Sequence, residues 1–239
     1  MLLWADTFNN YFHPETAIAA HEVLEHAGCE VVVPERHLCC GRPLYEWGML
    51  DRAKRYLQKI LHALAEDIRA GTPLIVLEPA CATVFRDELT NLFPFDEQAK
   101  RLQRQTFLLC EFLAHHASRF EPPALRRKAI VHGHCHHKAI MTLRDETAML
   151  QRLGLDFRVL DSGCCGMAGS FGFEREKYPV SIAAGERVLL PTVRAADEGT
   201  LIVADGYSCR EQIAQTTHRR ALHLAEVLQL ALREQDQRR

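Results

Sequence analysis

The segment Phe157-Arg158-Val159-Leu160-Asp161-Ser162-Gly163-Cys164-Cys165-Gly166 places two adjacent cysteines in a glycine-rich loop directly after a short apolar run. The same triplet, Cys-Cys-Gly, occurs in the first half of the chain at Cys39-Cys40-Gly41. A single cysteine follows each pair, Cys81 in the first half and Cys209 in the second, shortly after another apolar run. This internal similarity predicts that the chain contains one structural unit twice.

Short β-rich runs alternate with helical patterns in both halves, which is typical of parallel sheets covered by helices. We therefore predict an α/β fold of two homologous repeats, each with a mainly parallel sheet flanked by helices, the two related by a pseudo-twofold axis. Two prolines interrupt the helical pattern at Phe120-Glu121-Pro122-Pro123. The predicted domains are residues 1–122 and 123–239.

The hydrophobic periodicity also predicts the individual elements. The predicted strands cover residues 2–5, 31–33, 74–77, 129–132, 157–160 and 201–204. The predicted helices cover residues 14–27, 50–70, 145–153 and 180–190, with another beginning near residue 210. Because loops at the carboxyl ends of parallel strands meet at one sheet edge, we expect the cysteines that follow these strands to share a site there.

Composition excludes several classes of protein. The 239 residues include 29 Lys and Arg against 31 Asp and Glu, which gives a net charge of −2 and no broad field for nucleic acid. No apolar run approaches the ~20 residues of a transmembrane helix, and the N-terminus does not resemble a signal peptide. The nine cysteines, an odd number, indicate a reducing compartment. We expect cytoplasmic localisation, with peripheral attachment to the inner membrane face through partners as a further option.

The second half contains enough thiols for one metal site, namely Cys135, Cys164, Cys165 and Cys209. Adjacent cysteines suit two metal atoms of a cluster better than one small ion, so an iron–sulfur cluster is the leading interpretation. Zinc, a redox dithiol and buried structural thiols remain open alternatives. Other residues could support the cofactor by close backbone approach, by charge or as ligands. These are Gly163, Gly166, Gly169, Arg210, His134 and His136.

The first half has three corresponding thiols, Cys39, Cys40 and Cys81, but Asp6-Thr7-Phe8 stands where the second half has Cys135. A metal site here needs a further ligand from Asp6, a histidine or an outside group. Cys29 and Cys110 are expected to be buried core thiols. Glu78 and Asp205, each at a strand end, are expected to cap the helix that follows.

Four further segments strengthen the comparison with known sequences. They are Trp4-Ala5-Asp6-Thr7-Phe8-Asn9-Asn10, Glu78-Pro79-Ala80-Cys81, His132-Gly133-His134-Cys135-His136-His137-Lys138 and Ala204-Asp205-Gly206-Tyr207-Ser208-Cys209-Arg210-Glu211-Gln212. With the two Cys-Cys-Gly triplets, this text resembles the duplicated cysteine-rich "CCG" domain. That domain occurs in the B subunit of heterodisulfide reductase and in iron–sulfur subunits of glycolate oxidase type. The text is most similar to the C-terminal region of long FAD-linked oxidases.

The resemblance implies an electron-transfer module in which each repeat can hold a non-cubane [4Fe-4S] cluster. The family motif has a leading cysteine, then Cys-Cys-Gly, then C-x₂-C. Cys135, Cys164, Cys165 and Cys209 match it in the second repeat, where Gly206 replaces the first cysteine of C-x₂-C. In the first repeat the leading position falls near Thr7, and Glu78 replaces the other cysteine.

The sequence contains no GxGxxG, Walker A, GxSxG or HExxH motif, so a flavin would have to lie on a partner or an upstream domain. The resemblance implies a flavin-containing dehydrogenase and a ferredoxin-like iron–sulfur domain as partners. It predicts electron transfer during oxidation of a 2-hydroxy acid such as lactate or glycolate. Two alternatives stay open: a disulfide- or quinone-reducing site between the repeats, and a zinc-stabilised or metal-free interaction module.

Overall fold

The computed structural model describes residues 1–117 and 119–238. The chain divides into two compact units, Met1–Phe120 and Glu121–Arg239, each built around its own parallel sheet. Within the described ranges, no helix is both long and apolar enough to cross a membrane.

The first unit contains a three-stranded parallel sheet in the order β1-β2-β3. The strands are β1 (Leu2–Trp4), β2 (Leu74–Val76) and β3 (Thr106–Leu108). The helices are α1 (Thr7–Tyr11), α2 (Pro14–His26), α3 (Arg42–Glu46), α4 (Leu50–Ala63), α5 (Ala65–Ala70), α6 (Pro79–Thr83), α7 (Leu89–Leu92), α8 (Glu97–Gln105) and α9 (Leu109–His115). A π-helical turn, Val84–Glu88, joins α6 to α7. Trp4 of β1 and Phe85 of the π-helical turn pack edge to face, with ring centroids 5.0 Å apart.

The second unit contains a parallel sheet in the order β5-β4-β6. The strands are β4 (Lys128–Val131), β5 (Asp156–Val159) and β6 (Leu201–Val203). The helices are α10 (Arg144–Arg152), α11 (Tyr178–Gly185), α12 (Leu189–Ala195), α13 (Tyr207–Thr217) and α14 (Leu224–Asp236), together with a π-helical turn at His137–Met141 and a 3₁₀ turn at Phe171–Phe173.

Isolated parallel bridges extend both sheets to the same four-position order. Leu2 on β1 pairs with Val32, which lies on the opposite side of β1 from β2. Val203 on β6 pairs with Leu222, on the opposite side of β6 from β4. Numbered by their position along the chain, the four paired segments of each unit therefore lie side by side in the order second, first, third, fourth. Such a sheet has its topological switch point between the first and third strands, where loops at the carboxyl ends leave a crevice.

The α/β prediction is confirmed, but several predicted elements differ from the structure. Residues 31–33 form a single bridge rather than a strand. The predicted helix 50–70 is interrupted at Leu64, whose φ of −101° and ψ of 15° separate α4 from α5. The predicted helix 180–190 divides after Gly185, where a Cβ would lie 2.8 Å from the carbonyl oxygen of Cys165. Strand β3 was not predicted.

Candidate metal centre

The Cys-Cys-Gly loop of the second unit follows β5 and is held in a tight turn. Gly166 has φ +99°, and a Cβ there would lie 1.9 Å from the carbonyl oxygen of Ser181. Only glycine meets both requirements. The turn directs the Gly166 N–H towards Cys164, whose Sγ accepts it at 3.3 Å. The Cys164 side chain is half-buried and the Cys165 side chain is buried.

Cys135 and Cys209 reach this loop from the ends of the neighbouring strands. Both lie in the first turn of a helical segment, and not in a loop as the sequence suggested: Cys135 after β4 and Cys209 in α13 after β6. Cys135 lies close enough to Cys164, Cys164 to Cys165 and Cys165 to Cys209 for each pair to shift the pKa of its members. The structure therefore brings together all four thiols that the sequence selected.

The four thiols divide into two classes of acidity. Hydrogen bonds from Cys135 and Cys165, with the Gly166 N–H and the charge of His134, hold the pKa of Cys164 well below its ordinary value despite burial. A hydrogen bond from Cys165 and the neighbouring His132 lower the pKa of Cys209 in the same way. The pKa values of Cys135 and Cys165 are raised, because interaction with the neighbouring cysteines favours the protonated thiol and burial disfavours the thiolate. The four thiols therefore interact strongly with one another, as the ligands of a shared cation would.

Histidines border this sulfur cluster. The rings of His134 and His136 stack with centroids 5.2 Å apart, and the donor atoms of His134, Cys135 and His136 all lie within 4.8 Å of one another. His132 is 1% exposed and its Nδ1 lies 2.7 Å from Ser162 Oγ, in the Cys-Cys-Gly loop. The predicted cofactor residues His134 and His136 are therefore beside the thiols.

The remaining predicted cofactor residues are Arg210, Gly163 and Gly169. Arg210 directs its guanidinium to the backbone, donating to the carbonyl oxygen of Asp205 at 2.7 Å, so it secures the end of β6. The expectation that its charge offsets a thiolate stays a prediction. Gly163 has open space where a Cβ would lie. Gly169 adopts φ +63°, a conformation that favours glycine.

Sequence reasoning missed two side chains that hold the loop. Gln212, 2% exposed on α13, donates from Nε2 to the carbonyl oxygen of Cys165 at 3.1 Å and to Ser181 Oγ at 3.1 Å. Lys138 Nζ donates to the carbonyl oxygens of Ser162 at 2.5 Å and Gly163 at 3.3 Å. A signal for Gln212 was its position one helical turn after Cys209, which places both on one face of α13.

The first unit repeats the arrangement with three thiols. Cys40 Sγ and Cys81 Sγ are 3.0 Å apart, and Cys39 lies close enough to Cys40 for the two thiols to shift each other's pKa. The Thr7 side chain also lies close enough to Cys39 to lower the pKa of that thiol, so Thr7 holds the place that Cys135 holds in the second unit. The hydrogen bond with Cys40 lowers the pKa of Cys81, but burial and the charges of Asp6 and other neighbours raise it to about 11 overall.

The two strand-end carboxylates cap helices, but not in the same way. Glu78 is the N-cap of α6 and accepts the Ala80 N–H at 3.2 Å, as predicted. Asp205 was predicted to cap the following helix; its Oδ1 instead accepts the Leu224 N–H of α14 at 2.8 Å. Of the two expected core thiols, Cys110 is 1% exposed as predicted, whereas Cys29 is only half-buried, so that prediction was wrong.

Comparison with known proteins was consistent with this geometry. The family model of the cysteine-rich domain, CCG, matches residues 6–86. Lactate utilization protein A of Bacillus velezensis is 30% identical over 231 residues, which cover 91% of this chain and 93% of that protein. The chain belongs to the cysteine-rich CCG family.

Other relatives of the chain include longer proteins. The C subunit of the anaerobic glycerol-3-phosphate dehydrogenase of Escherichia coli (strain K12) is 31% identical over 231 residues, covering 94% of this chain but 57% of that protein. Lactate utilization protein A of Bacillus subtilis (strain 168) is 29% identical over 235 residues. The chain therefore spans little more than half the length of the dehydrogenase component that it resembles.

The donor set of the second unit fits an iron–sulfur cluster. Cys165 and Cys209 lie within an apolar cluster that includes Met167, Leu189 and Ile202. Thiolates of low pKa in apolar surroundings, with a backbone N–H directed at sulfur, are the features that bind such clusters and set their potential. The vicinal pair, Cys164 and Cys165, offers two sulfurs from one loop, which suits different metal atoms of one cluster.

Proposed function

We propose that this chain is an iron–sulfur electron-transfer module. It would carry electrons from the flavin of a FAD-linked dehydrogenase that oxidises a 2-hydroxy acid, of the lactate or glycolate type, to an acceptor. Cys135, Cys164, Cys165 and Cys209 would hold a [4Fe-4S] cluster in the second unit. The observation that carries the proposal is the convergence of these four thiols, which come from three different strand ends and lie close enough to shift one another's pKa.

The comparisons support the proposal at the level of the family. One relative is named as a component of a dehydrogenase and another as a protein of lactate utilization. The flavin would belong to a partner subunit or domain, and a ferredoxin-like iron–sulfur domain would connect the two. Localisation in the cytoplasm, with attachment to the inner membrane face through these partners, belongs to the same proposal.

The residues of this chain would hold and tune the cofactor, which when bound supplies one-electron redox chemistry. The Gly166 N–H donates to Cys164 Sγ and stabilises negative charge on that sulfur. Gln212 and Lys138 fix the carbonyl groups of the loop, so the two adjacent thiols keep their spacing. The apolar surroundings of Cys165 exclude water, which makes each of these interactions stronger than at the surface.

The first unit is proposed as a second, less complete metal site formed by Cys39, Cys40 and Cys81. Its fourth position is taken by Thr7, a neutral hydroxyl, and the carboxylate of Asp6 lies close enough to raise the pKa of Cys81. Three thiols with a carboxylate nearby suit a site that needs an outside ligand, so we propose that the second unit is loaded first.

Iron and sulfide analysis of protein purified without oxygen, with EPR after reduction, tests the assignment. We expect about four iron and four sulfide per chain. Cys209→Ser should lose the signal from the second unit, whereas Cys29→Ser, which alters a half-buried thiol outside both sets, should retain it. One zinc per chain, or folded protein that binds no iron under reconstitution, would contradict the proposal and favour an interaction module.

A further inference from the structure

Three titratable side chains outside the cysteine set meet in the interior of the second unit. Donor atoms of His137, Glu146 and Asp205 all lie within 4.8 Å of one another. The three side chains are 1%, 2% and 7% exposed, respectively. They come from separate elements: the π-helical turn after β4, helix α10 and the end of β6. Separate elements that converge on one buried point form a built site rather than a solvated acidic face.

The charges at this point call for a cation. Glu146 Oε2 lies 3.3 Å from His137 Nδ1, and Asp205 is near enough for its charge to act on Glu146. Burial and that charge raise the pKa of Glu146 well above its ordinary value. Two carboxylates in a dry interior are costly unless a proton or a metal ion lies between them. One imidazole between two carboxylates supplies a mixed nitrogen and oxygen donor set.

A fourth side chain orients Asp205. His223 Nδ1 accepts the Ala225 N–H at 3.0 Å, so in neutral His223 the proton is on Nε2, which lies 3.5 Å from Asp205 Oδ1. The same oxygen accepts the Leu224 N–H at 2.8 Å. These donors fix the carboxylate and leave its second oxygen for another partner, as outer-shell groups do for metal ligands.

We propose that His137, Glu146 and Asp205 bind a divalent transition-metal ion, with His223 as the residue that orients Asp205. Ligand atoms around an ion with bonds of about 2.1 Å stand roughly 3.0–3.6 Å apart, and the distance from His137 to Glu146 falls in that interval. The imidazole and the small number of oxygens favour Mn²⁺, Fe²⁺ or Zn²⁺ over Ca²⁺.

The first unit differs at the corresponding places. Asn9, the third residue of α1, is fully buried and donates to Asp6 Oδ2 at 2.7 Å, where the second unit has His137. Leu108 precedes α9 as His223 precedes α14. The proposed donor set is therefore a property of the second unit, and it uses no thiol. It stands or falls independently of the iron–sulfur assignment.

Mn²⁺ is the probe for a first experiment, because it prefers oxygen and nitrogen ligands to thiolates. The full-length protein, reduced and treated with a chelator, is titrated with Mn²⁺ and the free ion is followed by EPR. We expect one bound Mn²⁺ per chain, with affinity about 100-fold lower in Glu146→Gln and in Asp205→Asn. Glu198→Gln, an exposed carboxylate of the same unit, is the matched control and should bind as the wild type does.

Thermal unfolding provides the second readout and tests whether the variants fold. Mn²⁺ should raise the Tm of the wild type and of Glu198→Gln but leave that of Glu146→Gln unchanged, since only binding to the folded state stabilises it. Cys164→Ser should retain Mn²⁺ binding, which separates this site from the cysteine set. The proposal is overturned if Mn²⁺ does not change the Tm of the wild type, or if a folded Glu146→Gln variant binds Mn²⁺ as well as the wild type does.

Discussion

The imidazole of His134 occupies the space in which a side chain on Gly206 would begin. A Cβ at position 206 would lie 2.3 Å from His134 Cδ2 and 3.2 Å from its Nε2. In the motif that the sequence resembles, this position carries a cysteine. The ring that replaces the side chain belongs to a residue whose charge lowers the pKa values of Cys164 and Cys209. Where the family motif has a cysteine side chain, this chain therefore has the imidazole of His134.

Gly206→Ala should therefore displace the His134 ring. We expect a loss of about 1–3 kcal/mol in the free energy of unfolding, typical of overpacking in a rigid interior. If the cluster forms, its EPR signal should also change. Gly199→Ala is the control, because nothing lies within 4 Å of a Cβ there. Equal unfolding midpoints for the two variants in urea would show that the ring moves aside freely.

Gly166→Ala should be more damaging than Gly163→Ala, although the two glycines flank the same cysteine pair. At Gly166 the Cβ would meet the Ser181 carbonyl oxygen and the backbone would be strained, so we expect a loss of about 3 kcal/mol or more. At Gly163 there is open space, and an effect within about 0.5 kcal/mol is expected. Chemical denaturation measures both, and a tolerated Gly166→Ala would contradict the geometry of the turn.

Cys164 and Cys39 should differ in reactivity although both are half-buried. The pKa of Cys164 is held low by its hydrogen bonds, whereas the hydrogen bond with Cys40 and burial raise the pKa of Cys39. In metal-free, reduced protein we therefore expect Cys164 to be ionised across neutral pH. Its alkylation by iodoacetamide should change little between about pH 6 and about pH 8, while that of Cys39 rises with pH.

Peptide mass spectrometry after timed alkylation gives the two rates separately. We expect Cys164 to react at least about tenfold faster than Cys39 at pH 7. The alkylation rate follows the fraction of thiolate. Because Cys39 has the higher pKa, its thiolate fraction, and hence its rate, falls first as the pH is lowered. A steep pH dependence at Cys164 would show that its sulfur is protonated in solution.

Thr7→Cys should supply the thiol that the first unit lacks. The Thr7 side chain already lies beside Cys39, as Cys135 lies beside Cys164. Under anaerobic reconstitution we expect iron bound per chain to about double. Thr7→Ser, which retains the hydroxyl, is the matched control and should not increase the iron. If folded Thr7→Cys binds no more iron than the wild type, the missing thiol is not what limits metal binding by the first unit, and Asp6 or Glu78 would be the cause.

The sequence identified thiols that lie together in the second unit but was less reliable for local structure. Strand β3 was missed because Thr106–Leu108 passes directly from one helix into the next with no turn residue, so its apolar residues resemble part of a helix. The helix that ends at Gly185 was predicted too long because the packing of that glycine against the Cys165 carbonyl is a tertiary contact. Hydrophobic periodicity indicates which face of a helix or strand is buried, but not which residues that face contacts.

The cluster of His137, Glu146 and Asp205 also escaped prediction, for a related reason. Its members are far apart in sequence, and a buried glutamate within α10 has the same local pattern as an exposed one. Asp205 was expected at its own helix because capping is usually local, whereas in the structure it serves α14. Contacts that join distant segments are set by the sheet order, which the sequence specified only in part.

The common order of the two sheets has a mechanical consequence. In the first unit the weakly paired segment is at the margin near Val32, and in the second it is at the opposite margin, near Leu222. In the second unit the cysteines follow β4, β5 and β6, so fraying near Leu222 need not disturb their spacing. In the first unit the Cys39-Cys40 loop follows the weakly paired segment itself. Substitutions that weaken pairing near Leu222 should therefore soften the second unit only locally, whereas the same change near Val32 should be transmitted to Cys39 and Cys40.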